Sequence, residues 1–345
     1  MKKVQRQNWV MRAAFILSCI FLFGTSLAAA QDAKSLAIKA RDEGKVVFYT
    51  TMALPDAQTL TFLFEKQQPG VKVEMFRSGS GGITNRVQTE YNAKGYLVDV
   101  IQGVANRAMI PTFKERGIID KHISPQLKFV PDDLKDKEGY WASMYQNTYV
   151  LVYNKRLVAE KDVPRTYDDL LKPMWKGKKI INDVENFPWF NGLLSHWGKE
   201  KGLAYFRRLA QQENLFYRGS RLRIQLVSAG EAPLAIAYGS HATDYMNRGA
   251  PLGWVALEPV VFNVNSISLA KRAPHPNAAK LLFDFLFSKE AHLQLRAISH
   301  IPARSDVEPN PPELFKGFSR IFAYKDAGEI SEIVRLFNDT FGLAR

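Results

Sequence analysis

The chain has 345 residues, with 47 lysines and arginines against 34 aspartates and glutamates, a net charge of +13, and one cysteine. At 46% hydrophobic and 12% aromatic it has ample material for a packed core, which excludes a disordered or collagen-like chain, and its length suggests two compact units. A lone cysteine excludes an internal disulfide framework and any multi-cysteine zinc or iron–sulfur site.

Taken in chain order, residues 1–30 read as an address. Lys2, Lys3, Arg6 and Arg12 stand without an acid, an apolar run follows from Ala13 to Phe23, and Gly24 to Ala30 closes on a small-x-small end. This is the pattern of a secretory signal peptide cleaved after Ala30. The apolar run is shorter than the roughly 20 residues a spanning helix needs. The expected product has 315 residues, no cysteine and, without the four cations of that segment, a charge of +9. It is expected to be soluble outside the cytoplasm, resting on its core rather than on disulfides.

Residues 45–50 read as a buried strand. Pro55 opens an amphipathic helix through Leu60, Phe62, Leu63 and Phe64, closed by Pro69-Gly70. Residues 71–76 alternate as a second strand, Ser78-Gly79-Ser80-Gly81-Gly82 leads into a helix through Ile83, Val87 and Tyr91, and residues 98–101 form a third strand. Strand, helix, strand, helix, strand at this spacing predicts a parallel sheet with right-handed crossovers. The same grammar returns later. Strands are expected at 149–153, 179–182 and 233–238, a capped helix at 166–171, and helices near 188–198 and 201–212. The fold class predicted is α/β, in two lobes.

The catalytic inventory is poor. The chain has no His-Glu-x-x-His, Gly-x-Ser-x-Gly, Gly-x-x-x-x-Gly-Lys-Ser/Thr or Cys-x-x-Cys, and its six histidines are scattered, His275 among them in an expected surface loop. No catalysis, metal or cofactor is therefore expected. The strongest local signal is Ser78 to Gly82, whose amides and hydroxyls would sit at a helix N-terminus, where free N–H groups and the helix dipole favour an anion. It departs from the dinucleotide fingerprint because Thr84 holds the third glycine position. Ser220-Arg221-Leu222-Arg223 reads as a second helix start with Ser220 as cap, and Arg221 or Arg218 as a candidate bidentate anion clamp. Asn186, before Pro188, marks a third, beside Phe187, Trp189 and Phe190. The basic residues are dispersed; the densest run, Lys176-Gly177-Lys178-Lys179, reads as a turn, and no nucleic-acid motif accompanies it.

Three stretches carry a family resemblance. The first is Val152-Tyr153-Asn154-Lys155 with Val163-Pro164-Arg165-Thr166-Tyr167-Asp168-Asp169-Leu170-Leu171-Lys172-Pro173-Met174-Trp175. The second is Leu226-Val227-Ser228-Ala229-Gly230-Glu231. The third is Ala273-Pro274-His275-Pro276-Asn277-Ala278-Ala279-Lys280 with Phe283-Asp284-Phe285-Leu286. In this order the chain resembles the periplasmic solute-binding proteins of ABC importers, in the ferric-iron-binding-protein-like branch. The resemblance implies a type II binding-protein fold, each lobe a mostly parallel sheet flanked by helices. Lobe 1 would take residues 31–127 and 264–302, lobe 2 residues 128–263, and helices in 303–345 would pack on lobe 2. It also implies a periplasmic monomer that binds a small molecule between its lobes and delivers it to an inner-membrane permease with its ATPase.

Ferric members hold metal with adjacent tyrosines plus a His and a Glu. Here that stretch reads Tyr238-Gly239-Ser240-His241, Tyr49-Thr50-Thr51-Met52 lacks the histidine, and Val100-Ile101-Gln102-Gly103 lacks the carboxylate. A hard trivalent ion needs several anionic oxygens. The expected ligand is therefore a small organic anion: a carboxylate, phosphonate or phosphate ester. Thr51, Ser78, Gly79, Ser80, Gly81 and Arg221 would take the acid, with Tyr145, Asn147, Asn186, Phe187, Tyr238 and His241 around the body. The alternatives are a ferric-iron, polyamine or thiamine receptor, for which Asp99, Asp183, Glu185, Asp244 and Glu258 are the acidic candidates, or a subunit presenting ligand to a sensor kinase.

Overall fold

The computed structural model describes residues 31, 34–103, 109–177, 180–324 and 330–343. The expected leader, residues 1–30, lies outside them, as do Lys178 and Lys179 of the basic turn.

The first lobe is built on the expected strand–helix alternation. Helix α1 (residues 34–43) leads into β1 (Lys45–Thr50), α2 (Leu54–Gln67), β2 (Lys72–Arg77), α3 (Ser80–Asn92) and β3 (Val100–Gln102). Strand β1 lies between β2 and β3 and is parallel to both. Pro55 stands in the first turn of α2, where its missing N–H would have had no helical partner. The helix buries Ala57, Leu60 and Phe64 against the sheet. Gly70, at φ 100°, turns the chain into β2, a conformation costly for any residue with a Cβ. Helix α4 (Ile110–Glu115) and β4 (Ile119–Asp120) complete this part of the lobe.

Strand β5 (Ala142–Asn154) is buried along its whole length and belongs to both lobes. The second lobe adds β6 (Ile181–Asn182), α5 (Phe187–Trp197), α6 (Lys199–Ala210), β7 (Leu215–Phe216), α7 (Ser220–Ala229), β8 (Leu234–Tyr238), α8 (Gly239–Asn247) and β9 (Leu252–Val255). The chain then recrosses on β10 (Val260–Ala270) and returns to the first lobe through α9 (Pro276–Leu286), α10 (Lys289–Ala297) and β11 (Ile301–Pro302). It ends in β12 (Arg320–Phe322) and α11 (Ile330–Phe341).

Strands order as β2-β1-β3-β10-β5-β8-β6-β7. Strand β5 pairs antiparallel with β10 over residues 142–148, then with β8 and β9 over 149–154. Strand β10 pairs with β12 at its start and with β3 and β4 at its end. These two antiparallel strands carry the sheet from one lobe to the other. Each lobe's sheet is therefore mixed: parallel pairs at its outer side, and antiparallel pairs along β5 and β10 except where β12 joins β10 in parallel.

The cores show the division. One contains Phe48, Leu60, Val100, Phe113, Phe283 and Leu295. Two more, around Trp189, Phe190 and Phe206 and around Ile224, Val227 and Ala235, fill the second lobe. Val130, Leu134, Trp141, Met144 and Tyr145 belong to the first core, which moves the first crossing from the expected residue 128 to the middle of β5. At the C-terminal end, Ala303 still belongs to the first core, and Ser305 donates its N–H to Phe129 O at 2.8 Å. Only from β12 onward do Ala323, Tyr324 and Phe337 join the second core. Residues 168–171, expected within an α-helix, form a 3-10 turn; Pro173 follows directly and disfavours helical continuation at Lys172.

Candidate ligand-binding cleft

The C-terminal ends of β1, β2 and β3 and the N-terminus of α3 form the first lobe's wall of the cleft. The side-chain carbonyl of Gln102 fixes this wall. It accepts from Thr50 Oγ1 at 2.6 Å and from Thr51 N at 3.0 Å, while Thr50 Oγ1 accepts from Met52 N at 3.1 Å. Gln102 is fully buried, and its Nε2 has no protein partner. Gly103 allows this packing: it sits at φ 75°, and a Cβ there would fall 1.9 Å from Thr51 Oγ1. Ser80 Oγ donates to Gly103 O at 3.1 Å, tying the start of α3 to the end of β3. Gly79 precedes α3 without a side-chain cap, so the N–H groups of Ser80, Gly81 and Gly82 are the unpaired donors of a helix start. Gly81 and Gly82 are exposed. A Cβ on Gly82 would fall 2.2 Å from Ser78 Oγ, whereas one on Gly81 would meet open space. Gly79 also faces the other lobe, its Cβ position lying 3.9 Å from Glu185 Oε2.

The crossing strands provide the floor. Asn147 and Tyr145 of β5 stand opposite Asn263 and Asn265 of β10. All four are buried, and Asn147 Oδ1, Asn263 Oδ1 and Asn265 Nδ2 have no protein partner. Tyr145 stacks on His300, with ring centroids 4.5 Å apart. Burial raises its hydroxyl pKa well above the ordinary phenol value, and the Asp56 carboxylate raises it further.

On the second lobe, Tyr238 ends β8, and its N–H is held by Ser220 Oγ at 3.0 Å. Ser220 therefore does not cap α7. Gly219 occupies the cap position, and the serine serves the neighbouring strand. Tyr149, paired with Tyr238 across the β5–β8 ladder, brings its hydroxyl to 3.3 Å from that of Tyr238. Burial, then the Tyr238 hydroxyl and the Asp183 carboxylate, push Tyr149 well above the phenol range. Asp183 pairs with the buried guanidinium of Arg223 and accepts N–H bonds from Glu185 at 2.9 Å and Gly219 at 3.1 Å. His241 lies beside Tyr238. Burial depresses its pKa well below 6.5, with the charges of Arg221 and His300 adding to the effect.

Several expected site residues stand elsewhere or do other work. Arg221 is not a free clamp, since Nη1 donates to Asp244 Oδ2 at 2.8 Å and Nη2 to Asp56 Oδ2 at 3.0 Å. Phe187 packs edge-on against Phe337 in the second core, and Asn186 is buried with its amide on Asn182 Oδ1 at 2.7 Å. Asp99 is a structural anchor: it accepts from Val47 N at 2.7 Å and His275 N at 2.8 Å. The His275 ring also lies on it at 2.8 Å, so that ring is not loose in a surface loop. Glu258 holds Ser319 at the surface. The structure thus brings together Thr51, Ser78 to Gly82, Tyr145, Asn147, Tyr238 and His241. It adds Gln102, Tyr149, Asp183, Arg223, Asn263 and Asn265. The signal for the asparagines was available, as polar residues at the alternate positions 263 and 265 in the middle of β10.

Among the described residues no group of three His, Cys, Asp or Glu side chains converges as a metal site, and no helix is long and apolar enough to cross a membrane. A separate cavity of about 280 Å³ lies at the opposite pole of the first lobe, lined by Tyr91, Tyr96, Arg116, Lys271 and Arg272.

Two α/β lobes joined by two crossing strands, with polar strand ends and a helix start facing across the gap, define a hinged binding protein. The chain belongs to the bacterial extracellular solute-binding protein family, whose model matches residues 96–316. Iron uptake protein A1 of Synechocystis sp. is 26% identical over 243 residues, 65% of this chain and 66% of that protein. A Salmonella typhimurium periplasmic protein assigned to 2-aminoethylphosphonate binding is 24% identical over 256 residues, 70% of this chain and 72% of its own. Among solved structures, AfuA of Actinobacillus pleuropneumoniae with fructose-6-phosphate aligns at a TM-score of 0.74 and 22% identity, over 87% of this chain and 99% of its own. Iron-bound HitA of Pseudomonas aeruginosa aligns at 0.74 and 19%, over 86% and 99%. Both are two-lobed type II periplasmic binding folds, as is this chain.

Proposed function

We propose that this protein is the periplasmic substrate-binding subunit of an ABC importer, capturing a small organic anion between its lobes and handing it to the permease. The observation that carries the reading is the start of α3. Three uncapped backbone donors open onto the cleft beside the hydroxyls of Ser78 and Thr51, a site suited to a carboxylate, phosphonate or phosphate ester. The buried Gln102 Nε2, Asn265 Nδ2, Asn147 Oδ1 and Asn263 Oδ1 offer donors and acceptors for the ligand's neutral polar groups, since such groups are costly to bury without partners. The aminoethylphosphonate and sugar-phosphate ligands named for two relatives are consistent with an acidic head on an organic body.

One observation favours ferric iron as a second reading: Tyr149 and Tyr238 bring two phenol oxygens to 3.3 Å of each other, with Asp183 close by. Such hard oxygen donors suit a trivalent cation, and iron is named for other relatives.

A thermal-shift screen separates the two. The chain from residue 31, stripped of ligand by unfolding and refolding, is tested against phosphonates, phosphate esters, carboxylates, thiamine, spermidine and ferric salts with and without citrate. A ligand at one hundred times its Kd stabilises by about 2.7 kcal/mol. A shift with one organic anion class and none with ferric salts is expected. A shift with ferric iron or organic cations alone refutes the anion reading.

A further inference from the structure

Asp56 and His300 play no part in the readings above, yet Asp56 forms an ion pair with Arg221 between the lobes. Asp56 stands in the first turn of α2 and His300 just before β11, both buried on the first lobe. His300 Nε2 lies 3.0 Å from Asp56 Oδ2. The same carboxylate receives Arg221 Nη2 from the second lobe, at 3.0 Å through Oδ2 and 3.3 Å through Oδ1. Arg221 is steadied from behind by Asp244, which in turn holds Arg248 Nε at 3.1 Å. His241 faces the cluster from α8, its ring 6.1 Å from that of His300, and the Tyr145 ring covers His300 from β5.

The contact joins parts of the chain 165 residues apart that lie on opposite sides of a hinge. Hinge bending that opens the cleft must separate Arg221 from Asp56. A buried carboxylate left with its histidine alone loses its guanidinium partner, so the contact biases the lobes toward closure. We infer that Asp56 and His300 are positioning residues for solute capture: they form the receiving half of an interlobe clasp, which Arg221 enters on closure. The clasp fixes how far the start of α3 stands from Tyr238, and therefore how large a ligand the closed cleft accepts. It is independent of the ligand's charge and rests only on the two-lobed fold.

The chain from residue 31 contains no cysteine, so paired cysteines placed at the exposed Asn85 and Glu231 can carry fluorophores for single-molecule distance measurement without ligand. A closed population is expected in the wild type. Asp56→Asn and Arg221→Met should each lower the closed-to-open ratio by about tenfold, a coupling of about 1.4 kcal/mol. His300→Gln should lower it less, and Arg221→Lys should recover part of it. Lys199→Gln, which breaks an exposed ion pair with Glu332 within the second lobe, should leave the distribution unchanged. Circular dichroism identifies any variant that fails to fold; Asp56→Asn and Arg221→Met alter opposite lobes, so either alone carries the test. An unchanged distance distribution in a folded Asp56→Asn or Arg221→Met protein overturns the clasp, as does a wild type that is wholly open without ligand. Neither result bears on which ligand the cleft takes.

Discussion

The sharpest quantitative consequence of the structure lies away from the cleft, at His292. This side chain is fully buried in α10 of the first lobe, with Nδ1 3.1 Å from Ser288 O. Burial lowers its pKa to about 4, against about 6.5 in an unfolded chain. The unfolded state therefore takes up a proton below pH 6.5, while the native state does not until about pH 4. Above pH 6.5 both states are neutral and the residue contributes nothing to pH dependence. As pH falls through that window the unfolded state gains, and stability drops. A difference of about 2.5 pKa units corresponds to a loss of about 3 kcal/mol by pH 4. His292→Leu removes this linkage whatever it does to stability at pH 7. Urea unfolding of the chain from residue 31 at pH 7, 6, 5 and 4, followed by circular dichroism, should show the variant losing about 3 kcal/mol less than the wild type across the series. A residual slope of the same sign is expected in the variant from His241, which burial also depresses. Parallel wild-type and variant curves would refute the reasoning.

Two substitutions test the wall of the cleft. Gly103→Ala places a Cβ against Thr51 in a left-handed backbone conformation; backbone strain of about 1–2 kcal/mol and overpacking of about 1–3 kcal/mol should add to a loss of about 2–5 kcal/mol in urea unfolding, and a loss under 1 kcal/mol would show that the Thr51–Gln102 contact is not rigid. Gly82→Ala forces the Ser78 hydroxyl away from the first turn of α3 while leaving a helix-compatible backbone; ligand affinity in the thermal-shift assay should fall by about tenfold with melting of the free protein unchanged or slightly raised. Unaltered affinity would remove Ser78 and this turn from the site.

What was legible in the sequence follows the range of the forces involved. The first lobe's β1-α2-β2-α3-β3 succession could be read because each element carries its own periodicity, and because the glycine-rich loop marks the start of α3 locally. Strand β10 was not read as a strand. Asn263, Asn265, Ser266 and Ser268 argue for a surface, yet every residue of this strand is buried because it runs along the floor between two lobes. Arg221 failed as an expected anion clamp for a related reason. Its immediate neighbours do suggest a helix start, but its partner Asp56 comes from the other lobe through tertiary folding. The crossing point at the middle of β5 was equally hidden: the apolar side chains of Val130, Leu134, Trp141, Met144 and Tyr145 would suit either core, and only packing decides which one they join.

The fate of the expected tyrosine pair joins fold to chemistry most directly. Gly239 begins α8, and a Cβ on it would lie 3.1 Å from Thr148 Oγ1, 3.2 Å from Leu314 Cδ2 and 3.3 Å from Val150 Cγ1. A tyrosine following Tyr238 would press on the side chains of Thr148, Leu314 and Val150, each of which would have to give by a few tenths of an ångström, so this packing disfavours adjacent phenols. The second phenol arrives instead across the antiparallel ladder, from Tyr149. That position changes its chemistry. Burial and the Asp183 carboxylate both hold Tyr149 in its protonated form, and burial does the same for Tyr238. Like ordinary tyrosines at neutral pH the two are hydroxyls, able to donate hydrogen bonds to a ligand oxygen, and burial raises the cost of ionising them. A ferric ion would have to remove both protons from a site whose burial opposes the resulting negative charge. An anionic ligand requires no such deprotonation, and this difference in the cost of ionising the pair supports the proposed anion reading.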